Sequence, residues 1–234
     1  MSTTRAVDAA TATMISLIGS LADNKVALGR RYGEWAISAP TIESAVAAAA
    51  MAQDELGHAR STYAVLAKFG VHRDDDELEA GEPISALAEE LPDWASFIAA
   101  NLVVDGILTT FLATARESSI EPLAQRARKI LQEEGGHRAH AEAWLKRMCR
   151  TGGADADLLC RRIGELWEQA AQWPGPEDDP GYQAAISQDM LSQGPNAVRR
   201  RVRDWLSGLL DAEGASVALD DPTEWSTREE TKRQ

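Results

Sequence analysis

A helix of nearly thirty residues cannot bury its apolar side alone, and this chain offers four such stretches in succession. The segment IESAVAAAAMAQDELGHARSTYAVLAKFG is built almost wholly of strong helix formers and ends on Gly70, a suitable C-cap, so a helix is predicted over about 41–69. Before it, apolar residues recur at Ile15, Ile18, Leu21, Ala22, Leu28, Tyr32 and Trp35, a helical stripe running from about Asp8 to Ile37. The segment SAP (38–40) ends that stripe, because proline disfavours helix in the residue before it, and Thr41 with Glu43 opens the next. A third helix is predicted over about Asp93–Glu117 and a fourth over about Glu121–Arg150, with Pro122 in its first turn. Apart from an acidic connection, VHRDDDELEAGEP (71–83), the links are short. The chain is therefore predicted to be all-α, an antiparallel four-helix bundle. A fifth helix (about 156–172), a break at WPGPEDDPG (173–181) and a helix from Gly194-Pro195 to near Leu210 add C-terminal helices. The expected organisation is one helical domain over 1–213 and a polar, flexible tail over 214–234.

Composition narrows the partners. The 234 residues carry a net charge of −13, which makes nucleic acid and anionic membrane poor partners and leaves a basic protein partner open. Two cysteines, Cys149 and Cys160, are too few for a disulfide framework or a zinc site. No apolar run approaching a bilayer span and no signal-peptide pattern is evident, so the expectation is a cytoplasmic protein. Phosphate loops, nucleophile elbows and dinucleotide fingerprints are absent.

The chemistry lies in polar residues that the bundle must bury. Asp105 sits in NLVVDGILTTFL, where a lone carboxylate would be costly and a metal, lysine or arginine partner is implied. Glu55 and His58 stand three apart on the second helix, hence on one face; Glu134 and His137 repeat the spacing on the fourth. Two such pairs facing each other, with carboxylates from the other two helices, form the inner ligand set of di-iron and di-manganese carboxylate bundles. Asp105 supplies one of those carboxylates from the third helix.

At this point the chain resembles the phenylacetic acid catabolic family, the ferritin-like A and C subunits of bacterial ring-1,2-phenylacetyl-CoA epoxidases. The resemblance rests on DNKVALGRRYGEW (23–35), APT (39–41), AQDELGHAR (52–60), VVDG (103–106) and EEGGHRAHAEAWL (133–145), with ELWEQA (165–170) weaker. It covers most of residues 20–170, and the opening block is more similar to the C-type chain. The resemblance implies a ferritin-like bundle with additional C-terminal helices. It also implies a place in a multicomponent monooxygenase of aromatic degradation, with a di-iron A-type subunit, a reductase, an aryl-CoA substrate and an oligomeric assembly. The C-type subunit of that family serves as scaffold and has largely lost its metal ligands. Five ligand positions carry over here, Glu55, His58, Asp105, Glu134 and His137, but the first-helix glutamate of the catalytic subunit falls on Lys25.

Lys25 leaves three acids where a di-ferrous site needs about four, and no acid shares its helix face: Asp23 and Glu34 point elsewhere, while Leu21, Leu28, Gly29 and Tyr32 lie beside it. With Lys25 protonated the cluster carries −2, which one divalent metal or two protonated histidines would cancel; two metals and an ammonium would not coexist. A lysine carbamate would restore the carboxylate. The expected function is a C-type scaffold subunit with a remnant or altered di-iron site, its own catalysis undercut by Lys25. Two alternatives stay open, a stand-alone iron or manganese oxygenase or oxidase using the five donors, and a non-enzymatic metal-binding bundle. Tyr32 and His140 are expected beside the site or in its pocket, with core packing the plainer reading for Tyr32, and His72 at the surface. RRRVRD (199–204) is either a solvated face or a contact for CoA phosphates or an acidic partner groove. Gly135-Gly136, each costing roughly 1 kcal/mol in a helix, suggest close helix approach or a local distortion.

Overall fold

The computed structural model describes residues 8–72 and 81–223, so the central part of the acidic connection and residues 224–234 of the predicted tail lie outside the described residues. Among the described residues all regular structure is helical, and the chain forms a ferritin-like helical bundle. The long helices are α1 (Ala9–Trp35), α2 (Ile42–Leu66), α3 (Trp94–Thr114) and α4 (Glu121–Thr151). Beyond them come α5 (Ala154–Ala170), α6 (Pro180–Ser187) and α7 (Pro195–Ala212).

The starts are set by side chains that satisfy free backbone N–H groups. Asp8 accepts from Thr11 N at 3.1 Å, Thr41 from Ser44 N at 3.1 Å and Asp93 from Ser96 N at 2.7 Å. A short turn folds α1 back along α2, its most extensive neighbour; α3 packs against α5, and α6 lies on α1. One continuous core of buried apolar side chains runs from Ala10 to Leu219.

Two features depart from the sequence-based expectation. The helix α6 begins inside the predicted break, because Asp179 caps it and Pro180 occupies its first turn. The other is α3, which is long and apolar enough to cross a membrane, contrary to the expectation that no run approaches that length. It is instead the central helix of the bundle, mostly buried by its neighbours, and five of its residues, Asn101–Asp105, form a wider π-helical turn.

Candidate functional site

Four helices deliver the site. The helix α1 is buried all round from Leu21 to Gly29, so Lys25 has no path to water and is 1% exposed. This tight seating depends on Gly29: a side chain there would meet Leu56 Cγ at 2.9 Å and the Ala52 carbonyl at 3.1 Å. The helices α2 and α4 bring Glu55, His58, Glu134 and His137 inward, and the π turn of α3 ends on Asp105. All six side chains are buried. Widened turns of this kind occur frequently at functional sites.

Lys25 stands at the centre. Its Nζ lies 3.0 Å and 3.1 Å from the two Glu55 oxygens, 2.6 Å from Asp105 Oδ1 and 2.5 Å from Glu134 Oε1. His137 Nδ1 lies 3.4 Å from Glu55 Oε1, 3.4 Å from Asp105 Oδ2 and 3.2 Å from Glu134 Oε2. His58 Nδ1 lies 3.3 Å from Glu134 Oε1 and 3.7 Å from Glu55 Oε2. The structure thus brings together all five residues that helical spacing and the apolar setting of Asp105 singled out, with the lysine between their carboxylates.

Two residues of the site went unnoticed in the sequence. His58 Nε2 meets Glu133 Oε2 at 2.9 Å, and His137 Nε2 meets Asp54 Oδ2 at 3.3 Å. The pairing is crossed: the acid preceding each E-x-x-H motif holds the histidine of the other motif. The signal was present as the acid immediately before Glu55 and before Glu134. Asp54 and Glu133 are partly exposed, so they tie the buried rings to the surface and fix their orientation.

The electrostatics follow from burial and proximity. Burial opposes the charge on Lys25, but Asp105, Glu134 and Glu55 together hold its pKa well above the ordinary lysine value. Burial likewise opposes a proton on each histidine. The Glu134 and Glu55 carboxylates beside Nδ1 nevertheless lift His58 to about 9, and those of Asp105, Glu134 and Glu55 raise His137 further. Burial raises Asp105 to about 6, helped by the charges of Glu134 and Glu55. Burial pushes Glu134 and Glu55 in the same direction, but the Lys25 charge prevails and leaves both below the usual range. The three buried carboxylates thus favour positive charge on Lys25, His58 and His137, with Asp54 and Glu133 as further acids at the outer side of the two rings.

Glu55, Asp105, Glu134 and His137 each offer a ligand atom within 4.8 Å of one another, so this buried group could bind a metal ion. Two metal ions do not fit beside the ammonium. Nζ already occupies the space among the carboxylate oxygens and has no lone pair to give. Unit charges 4 Å apart repel by about 4 kcal/mol at an effective dielectric of 20, and a dication doubles that.

The remaining expectations resolve by position. Tyr32 is buried in the core, its ring 5.0 Å from Phe97 and edge-on to His137 at 6.5 Å, and its hydroxyl has no hydrogen-bond partner among the described residues. His140 makes no hydrogen bond to the cluster; it stands edge-on to Trp94 and Phe97, and burial, with His137 nearby, lowers its pKa. His72 is exposed. Asp23 accepts from the Tyr63 hydroxyl at 2.5 Å and Glu34 pairs with Arg31, so neither acid of α1 reaches the cluster. Of the basic cluster, Arg199 is buried and donates to the carbonyls of Ala171 and Gly175 and to the Asn196 side chain. Arg203 binds the Leu219 carbonyl and Asp221, leaving only Arg200 and Arg201 exposed for an outside anion. Around Gly135 and Gly136 nothing lies within 4 Å of where a side chain would begin, and α4 runs through them undistorted; the distortion sits in α3 instead.

The family described as phenylacetic acid catabolic protein matches residues 1–233. The C-type subunit of the 1,2-phenylacetyl-CoA epoxidase of Escherichia coli (strain K12) is 25% identical over 185 residues, 76% of this chain and 73% of that protein.

Proposed function

The chain belongs to the phenylacetic acid catabolic protein family, and from that premise we propose that it is the C-type, accessory subunit of a multicomponent aryl-CoA ring epoxidase. In this reading it holds a catalytic A-type subunit in place, and the A-type subunit and a reductase carry out the oxidation. The observation that carries the reading is the first-helix contribution to the cluster: a lysine ammonium where a fourth carboxylate would be needed. The similarity to the C-type chain of the Escherichia coli epoxidase supports the same assignment.

Ring epoxidation requires dioxygen activation, the chemistry iron supplies when bound in a complete carboxylate and histidine site. The residues of this chain fall one carboxylate short of such a site. What they do is tie α1, α2, α3 and α4 together through one buried ionic centre, giving the bundle a fixed shape for a partner to pack against.

Co-expression with an A-type partner carrying all six donors tests the proposal. The two chains are expected to purify together, with ring oxidation of an aryl-CoA requiring the partner's donors and surviving Glu55→Gln in this chain. A stand-alone oxidase is favoured by one observation, the four donor atoms within 4.8 Å of one another. Dioxygen consumption by the isolated, ferrous-treated chain would establish that second reading and overturn the first.

A further inference from the structure

We propose that the Lys25 ammonium is the resident cation of this centre: it takes the place of metal, makes the bundle independent of metal supply, and keeps closed a divalent-cation site that one side-chain exchange opens. The inference deepens the accessory-subunit reading and rests on it for its setting, but its test needs no partner.

The geometry is that of a permanent occupant. An ammonium has three protons, and Nζ finds one carboxylate on each of three different helices, Glu55 on α2, Asp105 on α3 and Glu134 on α4. Every proton is therefore committed, and each helix is tied to α1 by one charge-assisted bond. Nothing on α1 competes for the position, because Asp23 is bound to Tyr63 and Glu34 to Arg31. Withdrawal of the side chain is blocked by the burial of α1 on all sides from Leu21 to Gly29. A metal would have to displace this cation and break all three of its charge-assisted bonds at once.

The same geometry defines the closed site. The carboxylates that hold Nζ also carry the donor atoms grouped with His137. Exchange of Lys25 for glutamate turns three carboxylates, two histidines and an ammonium into four carboxylates and two histidines, the inner set of a two-metal bundle. Without metal that variant would concentrate uncompensated negative charge in the interior, so its folding becomes metal-dependent.

The experiment compares wild type, Lys25→Glu and Lys25→Gln, purified through chelator, by elemental analysis and by thermal melts with and without manganous or ferrous ion. The wild type is expected to hold no stoichiometric metal and to melt at the same temperature in manganese and in chelator. Lys25→Glu is expected to take up roughly two manganese ions per chain, the complement of the four-carboxylate site, and to melt higher with manganese. If Lys25→Glu fails to fold in chelator, recovery by refolding in manganese is the expected result. Lys25→Gln, which removes the cation and adds no acid, is expected to gain a manganese-dependent rise in melting temperature that wild type lacks. Stoichiometric metal in the wild type overturns the inference, as does absence of any metal response in both variants. Metal uptake by wild type without dioxygen consumption would sink this inference and leave the accessory role standing.

Discussion

His58 and His137 share the pH dependence of the centre, because the buried carboxylates favour a proton on both rings. Burial works against the proton on His58, but the neighbouring Glu134 and Glu55 carboxylates hold the folded-state value at about 9, against an ordinary 6.5. A raised folded value means stability that is complete below pH 6.5 and lost as pH climbs towards 9. Thermal melts of chelator-treated protein should therefore fall between pH 6.5 and 9, and because His137 is raised as well the decline should become shallower in His58→Gln without vanishing; a flat wild-type profile would overturn the raised histidine values. Glu55, His58, Asp105, Glu134 and His137 were all legible in the sequence, since three-residue spacing fixes a shared helix face and an acid in an apolar run demands a partner. Lys25 was legible as a substitution, but its seat among three carboxylates required the backbone approach at Gly29. Asp54 and Glu133 escaped notice because acids on exposed helix turns are common, and the crossed pairing exists only once α2 and α4 face each other.

Among the elements, α4 shows how local preference and tertiary need can part. Gly135 and Gly136 lie in its interior, exposed, with open space where a side chain would begin. Gly136→Ala should therefore stabilise the isolated protein by about 1 kcal/mol, through helix preference and a less disordered unfolded chain. Urea unfolding checks it; a loss of stability would mean the space is filled in solution. The third helix shows the reverse limit. Its residues 94–114 are apolar nearly throughout, so periodicity could assign the helix but not its hydrogen-bond register, and the π turn at Asn101–Asp105 left no trace in composition. The start of α6 was hidden differently, because the proline and glycine that read as a break also serve as the first turn of a capped helix.

Across the whole molecule, the C-terminal segment is joined to the back of the ionic centre. The helix α7 crosses α3 at Gly106, beside Asp105, where an added side chain would stand 3.2 Å from Trp205 Cζ3. Trp205 donates to Glu142 Oε1 at 3.1 Å and lies under the Arg138 guanidinium, so it braces α3 and α4 together. The chain beyond α7 then closes over the outside. Leu219 is buried, Trp167 donates to the Asp220 carbonyl at 2.7 Å, and Arg203 reaches Asp221 at 3.1 Å. Arg150 grips Glu213 with two bonds of 2.8 and 2.9 Å. We therefore propose that the folded unit extends to at least Asp221. Leu219→Ala should then lower stability by about 2 kcal/mol, the cost of emptying a buried leucine site, as measured by urea unfolding. A chain ended at Gly214 should lose about 3 kcal/mol, since the Trp167 and Arg203 bonds go with the leucine. For a domain stabilised by roughly 5–15 kcal/mol in total, that is a large fraction, and it should appear together with weaker protection of the α3 amides behind Asp105 in hydrogen exchange. If both variants unfold at the wild-type urea concentration, the segment beyond α7 contributes nothing and the unit ends at the helix.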